Sequence, residues 1–528
     1  MATNACDGCA IILIVIYHTQ YKISPPEALF LRGKIKKFLG LFFAFPLQHP
    51  PKNKKLGGCG KILCRMGQTG LLFHRSQRIR KGSKKMKRRT FLKVAAAVSG
   101  LWLTGCGGSK TLLSPQDPAI LSIWHVYGEQ ADSPMNRLLT EFNDTVGKEK
   151  GILLNVTNMT NSASIGSQLR EAQAGKPGAL DLPDLFSAHS SDAAGLGIEN
   201  LVDWNDWFTA EEMAAYVPGF VQDGIIEGRQ IVFPVSKSTQ LIFLNGSQYA
   251  RFAADTGADL AALATWEGFF AMAVAYRQWS GGKPFCALDY PLRLVELNAL
   301  EQGSGELYQG SWYDLDNAVF RASWMEFARG LVQGDIIVSD LYSNTQVMTG
   351  ETLAGLGSSA AILYYNDVVT YPDNTTEPTD LLLAALPHAA GTAVPLMPQA
   401  GVGLCAFKTT DRKAEAAAVF LRWLTEQQRN LEFAAATGYM PVSRAAFDAI
   451  GEHPFQQESY RRLYDVYNAM CTEDTPLSEP GIVGYHAKVN AFYDALRQQQ
   501  KAYPQRLAAG ETADALAEES WQLLCKNA

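Results

Sequence analysis

Apolar and polar positions alternate over Leu121-Ser122-Ile123-Trp124-His125-Val126-Tyr127, the period of a half-buried β-strand. Asp132-Ser133-Pro134 follows, a cap with proline in the first helical turn. Met135, Leu138, Leu139 and Phe142 then recur at i, i+3, i+4 and i+7, one apolar face of a helix. Residues 152–159 read as a second strand, and 183–188 as a third. Between them, Ile165, Leu169 and Ala172 mark another helical face. The rhythm strand, helix, strand, helix, strand predicts an α/β fold with a mostly parallel sheet.

Further along, the apolar runs 231–234 and 241–244 flank a polar bridge, Ser236-Lys237-Ser238-Thr239-Gln240. Helical spacing follows over 266–279 and 315–331, and buried strands are expected at 381–387 and 401–407. Residues 412–436 read as one long helix, with Phe420, Leu421, Trp423 and Leu424 on its apolar side and Gly438 as its cap. The C-terminal third is helical again to about Leu524. Trp266, Trp279, Trp324 and Trp423 fall in helical patterns and are expected in the core.

Ahead of the first strand, Lys87, Arg88 and Arg89 lead into an apolar run, 91–103, that ends in Leu103-Thr104-Gly105-Cys106. That run is shorter than the span of about 20 residues needed to cross a bilayer. A basic cluster, an apolar run and a small-residue cysteine site form an export signal closing on a lipobox. Residues 86–105 are therefore expected to be removed, leaving Cys106 lipidated and 106–118 as a Gly/Ser/Pro-rich tether. Arg88-Arg89-Thr90-Phe91-Leu92-Lys93 also fits a twin-arginine signal, so the export route stays open. Met86 stands directly before the signal; residues 1–85 read as a disordered upstream extension from a start assigned too early. The cysteines there, Cys6, Cys9, Cys59 and Cys64, lack the tight second pair of a zinc site.

Charge separates the same two parts. Residues 1–105 hold 20 of the 47 basic side chains and two of the 52 acidic ones. The remaining 423 of the 528 residues carry 27 basic and 50 acidic groups, a net charge of −23. So acidic a domain repels a phosphate backbone, which argues against nucleic-acid binding. That length is ample for two lobes, which are placed at 119–238 plus 400–436 and at 239–399 plus 437–528. Of the later cysteines, Cys286 and Cys405 sit in apolar runs as core residues, and a Cys471–Cys525 bridge is left open. The five histidines after residue 105 form no His-Glu-x-x-His, and no Gly-x-Ser-x-Gly elbow occurs. No catalytic residue, metal ligand or cofactor is assigned.

These markers, in this order, resemble the extracellular solute-binding lipoproteins of ABC importers, in the group that binds sugars and polyols. Ile123-Trp124-His125 is similar to that family's opening strand, and Pro234 to Asn245 to its hinge-crossing segment. Thr265-Trp266-Glu267 resembles its helix opening, Ala400-Gly401-Val402-Gly403 its second hinge strand, and Thr437-Gly438-Tyr439-Met440-Pro441-Val442-Ser443 the segment after its long helix. The likeness implies a two-lobed periplasmic-binding-protein-like fold of type II, with hinge strands and a central ligand cleft. It implies a monomer of the cell envelope, lipid-anchored on the periplasmic or extracellular side, passing its solute to the transmembrane subunits of a permease.

The motifs are nearest to the glycerol 3-phosphate-binding branch, and the resemblance places Thr160, Ser190, Ser238, Ser359, Gly401 and Tyr439 near its ligand contacts. Two positions depart from it. Ser190 stands where the branch has an acid, and no Arg occurs in 481–496, where Lys488 and His486 are nearest. A sugar or polyol is therefore preferred to glycerol 3-phosphate. Hydroxyls such as those of Ser238 and Thr239 offer one donor and two acceptor sites, matching sugar hydroxyls. Tyr439, in a loop after a helix-capping glycine, and Tyr127, at a strand's C-terminal end, are the leading aromatic contacts. Tyr364-Tyr365-Asn366 ranks behind them. An exported carbohydrate-active enzyme and an adhesive surface lipoprotein are the alternatives.

Overall fold

The structure is a computed structural model that describes residues 111–127, 133–158, 162–340 and 342–527, with only the backbone of 158 and 162–164. The expected extension 1–85, the signal 86–105, Cys106 and Thr160 lie outside the described residues. No described helix is long and apolar enough to cross a membrane.

The fold is α/β and two-lobed, and is organised around two main sheets. The first has four strands, in the order Gly403–Ala406, Leu185–Ala188, Ala119–His125, Ile152–Asn158. Ala119–His125 runs parallel to both neighbours, with Ile123 opposite Val156 on one side and Leu185 on the other. Its alternation is realised physically: Leu121 and Ile123 are buried while Ile120 faces solvent. The helix Pro134–Phe142 starts where expected, with Ser133 Oγ accepting the Asn136 N–H. Its Phe142 packs edge-on to Phe420 at 5.1 Å between ring centroids. The fourth strand comes from far along the chain and runs antiparallel, with Cys405 opposite Phe186.

The second sheet has five strands, in the order Ile336–Val338, Cys286–Leu288, Ala354–Ser358, Gln240–Asn245, Leu381–Ala384. The first three are parallel to one another, and Gln240–Asn245 runs antiparallel to both its neighbours. All six residues of Gln240–Asn245 are buried, which accounts for its unbroken apolar run. Helices Trp266–Trp279, Pro291–Glu301, Ala318–Gln333, Tyr485–Ala508 and Ala513–Lys526 contribute to its core, which holds Trp266, Trp324, Phe492 and Trp521.

Several elements differ from the sequence expectation. The single helix over 412–436 is two, Asp411–Leu424 and Gln427–Thr437. Thr425 turns its hydroxyl back onto Leu421 O at 2.7 Å, and extended Glu426 caps the second helix by accepting the Arg429 N–H. The apolar run 231–234 meets the four-stranded sheet through an isolated bridge from Phe233 to Leu404. The helix expected over 315–331 is Ala318–Gln333, started by Asn317, whose side chain accepts two backbone N–H groups. A strand, Thr475–Ser478, interrupts the helical C-terminal third. Trp266 and Trp324 are buried, whereas Trp279 and Trp423 are only partly so. Cys471 and Cys525 are free thiols, and Cys286 and Cys405 are buried ones.

Candidate functional site

Stretch 236–240 is hydrogen-bonded to both 399–403 and 437–441. The Ser238 N–H donates to Ala400 O and the Ala400 N–H to Ser238 O, both at 2.9 Å. Ser236–Lys237 pairs antiparallel with Met440–Pro441. The first stretch runs on into a strand of the five-stranded sheet, the second into the four-stranded sheet. Glycine is required at two points. Gly401 has φ +102°, and a Cβ there would sit 3.3 Å from Ser238 N. Gly438 has φ +72° as the left-handed cap of Gln427–Thr437.

At this junction Tyr127, Ser238, Thr239, Ser359, Gly401 and Tyr439 come together. The Tyr127 hydroxyl donates to Val402 O at 3.2 Å, next to Gly401. Its ring meets Tyr439 edge-on at 5.7 Å, and Tyr439 lies parallel to Phe433 at 6.4 Å. Ser359 reaches the junction by donating its N–H to Thr239 O at 2.8 Å. The Thr239 and Ser359 hydroxyls are fully buried and have no hydrogen-bond partner among the described residues.

More phenols face the same place. Burial pushes the Tyr439 hydroxyl above the usual tyrosine range, and Tyr127, Tyr364 and Tyr342 reinforce the shift. Burial does the same to Tyr290, reinforced by Asp289, Tyr342, Glu479 and Tyr439. Tyr342 was not singled out from sequence, since an isolated loop tyrosine carries no local signal.

Ser190 lies beside this group. Its hydroxyl donates to Asp223 O at 2.5 Å, and it lines a narrow cleft with His189, Ser191, Asp223, Gln399, Gly401 and Glu479. The space between its walls holds little more than a water molecule. That is far below the several hundred Å3 usual for small-molecule sites, so a sugar enters only if the walls part.

The fold also gathers charged groups that the sequence did not connect with one another. The Lys237 ammonium, buried within the hinge stretch, pairs with the Asp223 carboxylate. Across the cleft, Glu479 Oε2 lies 3.3 Å from His189 Nδ1 and 3.1 Å from His486 Nε2. Burial alone would lower the His486 pKa, but Glu479 and Asp192 overcome it and raise it to about 10. His125 is a structural residue instead. Its Nε2 is 2.9 Å from Asn136 Oδ1, its Nδ1 accepts the Tyr127 N–H, and burial lowers its pKa to about 4.

No curated protein sequence matches the chain. Solved structures do match in fold. A chitin oligosaccharide binding protein superposes with TM-score 0.58 at 13% identity, covering 78% of this chain and 99% of that one. UgpB from Mycobacterium tuberculosis, solved with glycerophosphocholine, gives 0.57 at 15% identity, covering 79% and 99%. The cyclic alpha-maltosyl-1,6-maltose binding protein of Arthrobacter globiformis gives 0.55 at 17%, covering 78% and 99%. At such identities the likeness establishes the two-lobed fold and nothing finer. The sequence profile of the bacterial extracellular solute-binding proteins matches residues 138–458, more than half of the chain. With that match and a junction of hinge strands beside a narrow polar cleft, the chain belongs to the bacterial extracellular solute-binding protein family.

Proposed function

We propose that the protein captures a sugar or related polyol between its lobes and delivers it to the permease subunits of an ABC importer. One observation carries the reading. The fully buried Thr239 and Ser359 hydroxyls have no partner among the described residues, at a junction lined by Tyr127 and Tyr439. Burying an unpaired hydroxyl costs about 1–3 kcal/mol, and a bound polyol recovers that cost. The sugar-binding and glycerophosphocholine-binding structural relatives are consistent with a hydroxyl-rich solute.

A neutral solute fits better than glycerol 3-phosphate. Asp223 and Glu479 line the cleft, and the cations beside it, Lys237 and His486, are committed to carboxylates. Lys488 faces away, bonded to Ser311 Oγ at 3.1 Å. The lobes are 119–238 plus 400–436 and 239–399 plus 437–528. The strands of the two sheets, from 119–188 with 403–406 and from 240–384, support this division, whereas Met440, Val442, Leu463 and Tyr467 pack with the core of the four-stranded sheet. Closure selects the ligand-bound arrangement and presents it to the permease. The protein acts as a monomer held to the membrane through lipid on Cys106.

A thermal-shift and calorimetry panel of mono- and oligosaccharides, polyols and glycerol phosphates tests this. A bound solute raises Tm as RT ln(1 + [L]/Kd). Saturable binding of a neutral sugar is the expected result. Preferential submicromolar binding of glycerol 3-phosphate overturns the ligand class, and turnover of an oligosaccharide overturns the transport role.

A further inference from the structure

We infer that His189, Glu479 and His486 form a binding site for a divalent first-row transition metal, Zn2+ foremost. Each residue offers one ligand atom, and the three atoms lie within 4.8 Å of one another. The two edges that meet at Glu479 Oε2, 3.3 Å and 3.1 Å, are close to the ~3.4 Å edge of a tetrahedron with Zn–N and Zn–O bonds of about 2.0–2.2 Å. The two imidazoles are 4.4 Å apart between centroids, and both turn a nitrogen to the same carboxylate oxygen.

The surroundings supply what a metal-bound histidine needs. His486 Nδ1, the nitrogen remote from Glu479, is 3.2 Å from Ser191 Oγ and 3.5 Å from Asp192 Oδ2. Asp192 is itself fixed by Arg170 Nη1 at 3.0 Å. A carboxylate behind a ligating imidazole sets its tautomer and strengthens it as a donor. His189 and Glu479 both line the cleft, so a fourth coordination position opens to it. A nitrogen and oxygen donor set without thiolate suits Zn2+, and also Ni2+ and Cu2+, better than the hard cations.

The ion also ties separate parts of the fold. His189 directly follows a strand of the four-stranded sheet. Glu479 and His486 flank Tyr485, which is packed in the core of the five-stranded sheet. Loading replaces the contacts of Glu479 with His189 and His486 that now cross this gap.

The test uses the full chain carrying C6S, C9S, C59S and C64S, stripped with chelator, so that the N-terminal thiols do not compete. Zn2+ titration calorimetry should show one site. Co2+ should give ligand-field absorption without thiolate charge-transfer bands. H189A/H486A should abolish Zn2+ uptake, and Asp192→Asn should weaken it by about 10–100-fold, as loss of such outer partners does. If the double variant does not fold, Glu479→Gln serves in its place. Absence of Zn2+ binding, a thiolate spectrum, or equal affinity in Glu479→Gln and Asp192→Asn overturns the site. The solute panel is read separately. Sugar binding without zinc uptake removes the metal site alone, and zinc uptake without sugar binding leaves it standing.

Discussion

Thr239 and Ser359 are joined by a backbone hydrogen bond, from the Ser359 N–H to Thr239 O at 2.8 Å, while both hydroxyls beside it stay buried and unpaired among the described residues. The backbone thus holds two donor–acceptor groups in place with nothing among the described residues to satisfy them. Such groups weaken the empty protein and become useful only when a solute pairs with them.

Removing those hydroxyls should therefore separate stability from binding. Thr239→Val and Ser359→Ala are expected to leave Tm of the empty protein unchanged or raised. Each should weaken solute binding by about 0.5–1.5 kcal/mol, the net worth of a hydrogen bond. Thermal melts with and without solute check this. A large fall in the Tm of the empty protein would assign the hydroxyls a structural role instead.

Tyr439 presents its ring between Tyr127 and Phe433 at the junction. Tyr439→Ala should weaken binding by about 1–3 kcal/mol, as truncation of a central aromatic anchor does. Tyr439→Phe should keep most of the affinity if the ring face is the contact. Isothermal titration of all three proteins decides, and unchanged affinity in Tyr439→Ala removes the residue from the site.

Gly438 admits no side chain. A Cβ there would lie 2.4 Å from Ile362 Cγ2 and 2.7 Å from Ser359 O, at φ +72°. Gly438→Ala combines a left-handed backbone with a clash, at a cost of about 1–3 kcal/mol. Because the clash pushes on Ser359, solute affinity should fall together with Tm. Urea unfolding and calorimetry on the same variant test both effects.

His388 should make stability pH-dependent. It sits 2.8 Å from Glu301 Oε1 and 3.4 Å from Asp474 Oδ1. Burial lowers its pKa, but the two carboxylates outweigh it and raise the pKa to about 9. A folded-state pKa above the unfolded value of about 6.5 means the contribution is fully present below pH 6.5. It is then lost as pH rises through about 9. The Tm difference between the parent protein and His388→Gln should therefore shrink from pH 6 to pH 10, as read by scanning calorimetry across that interval.

Processing gives a prediction independent of the cleft. Mass spectrometry of protein from its native membrane should find a chain starting at an acylated Cys106. An unmodified chain that retains residues 1–85 would refute both the anchor and the late start.

Local pattern was enough for much of the fold. The strand Ala119–His125, the Ser133-capped helix after it and the Gly438 cap follow from side-chain period and capping chemistry, which act over a few residues. The polar bridge at 236–240 also stood out, because it interrupts apolar runs on both sides. Periodicity reports which face is buried but not what is buried against it. The break at Thr425–Glu426 was hidden because both flanking segments favour helix, and it depends on side-chain bonds to the backbone. Only tertiary structure brought Thr239 beside Ser359, or set His189 and His486 on one carboxylate oxygen. These residues are far apart in sequence and are joined by sheet order and by the return of distant strands. Each is an ordinary strand-end, loop or helix-start residue by itself, and its chemistry comes from long-range packing that leaves no mark on its neighbours in the chain.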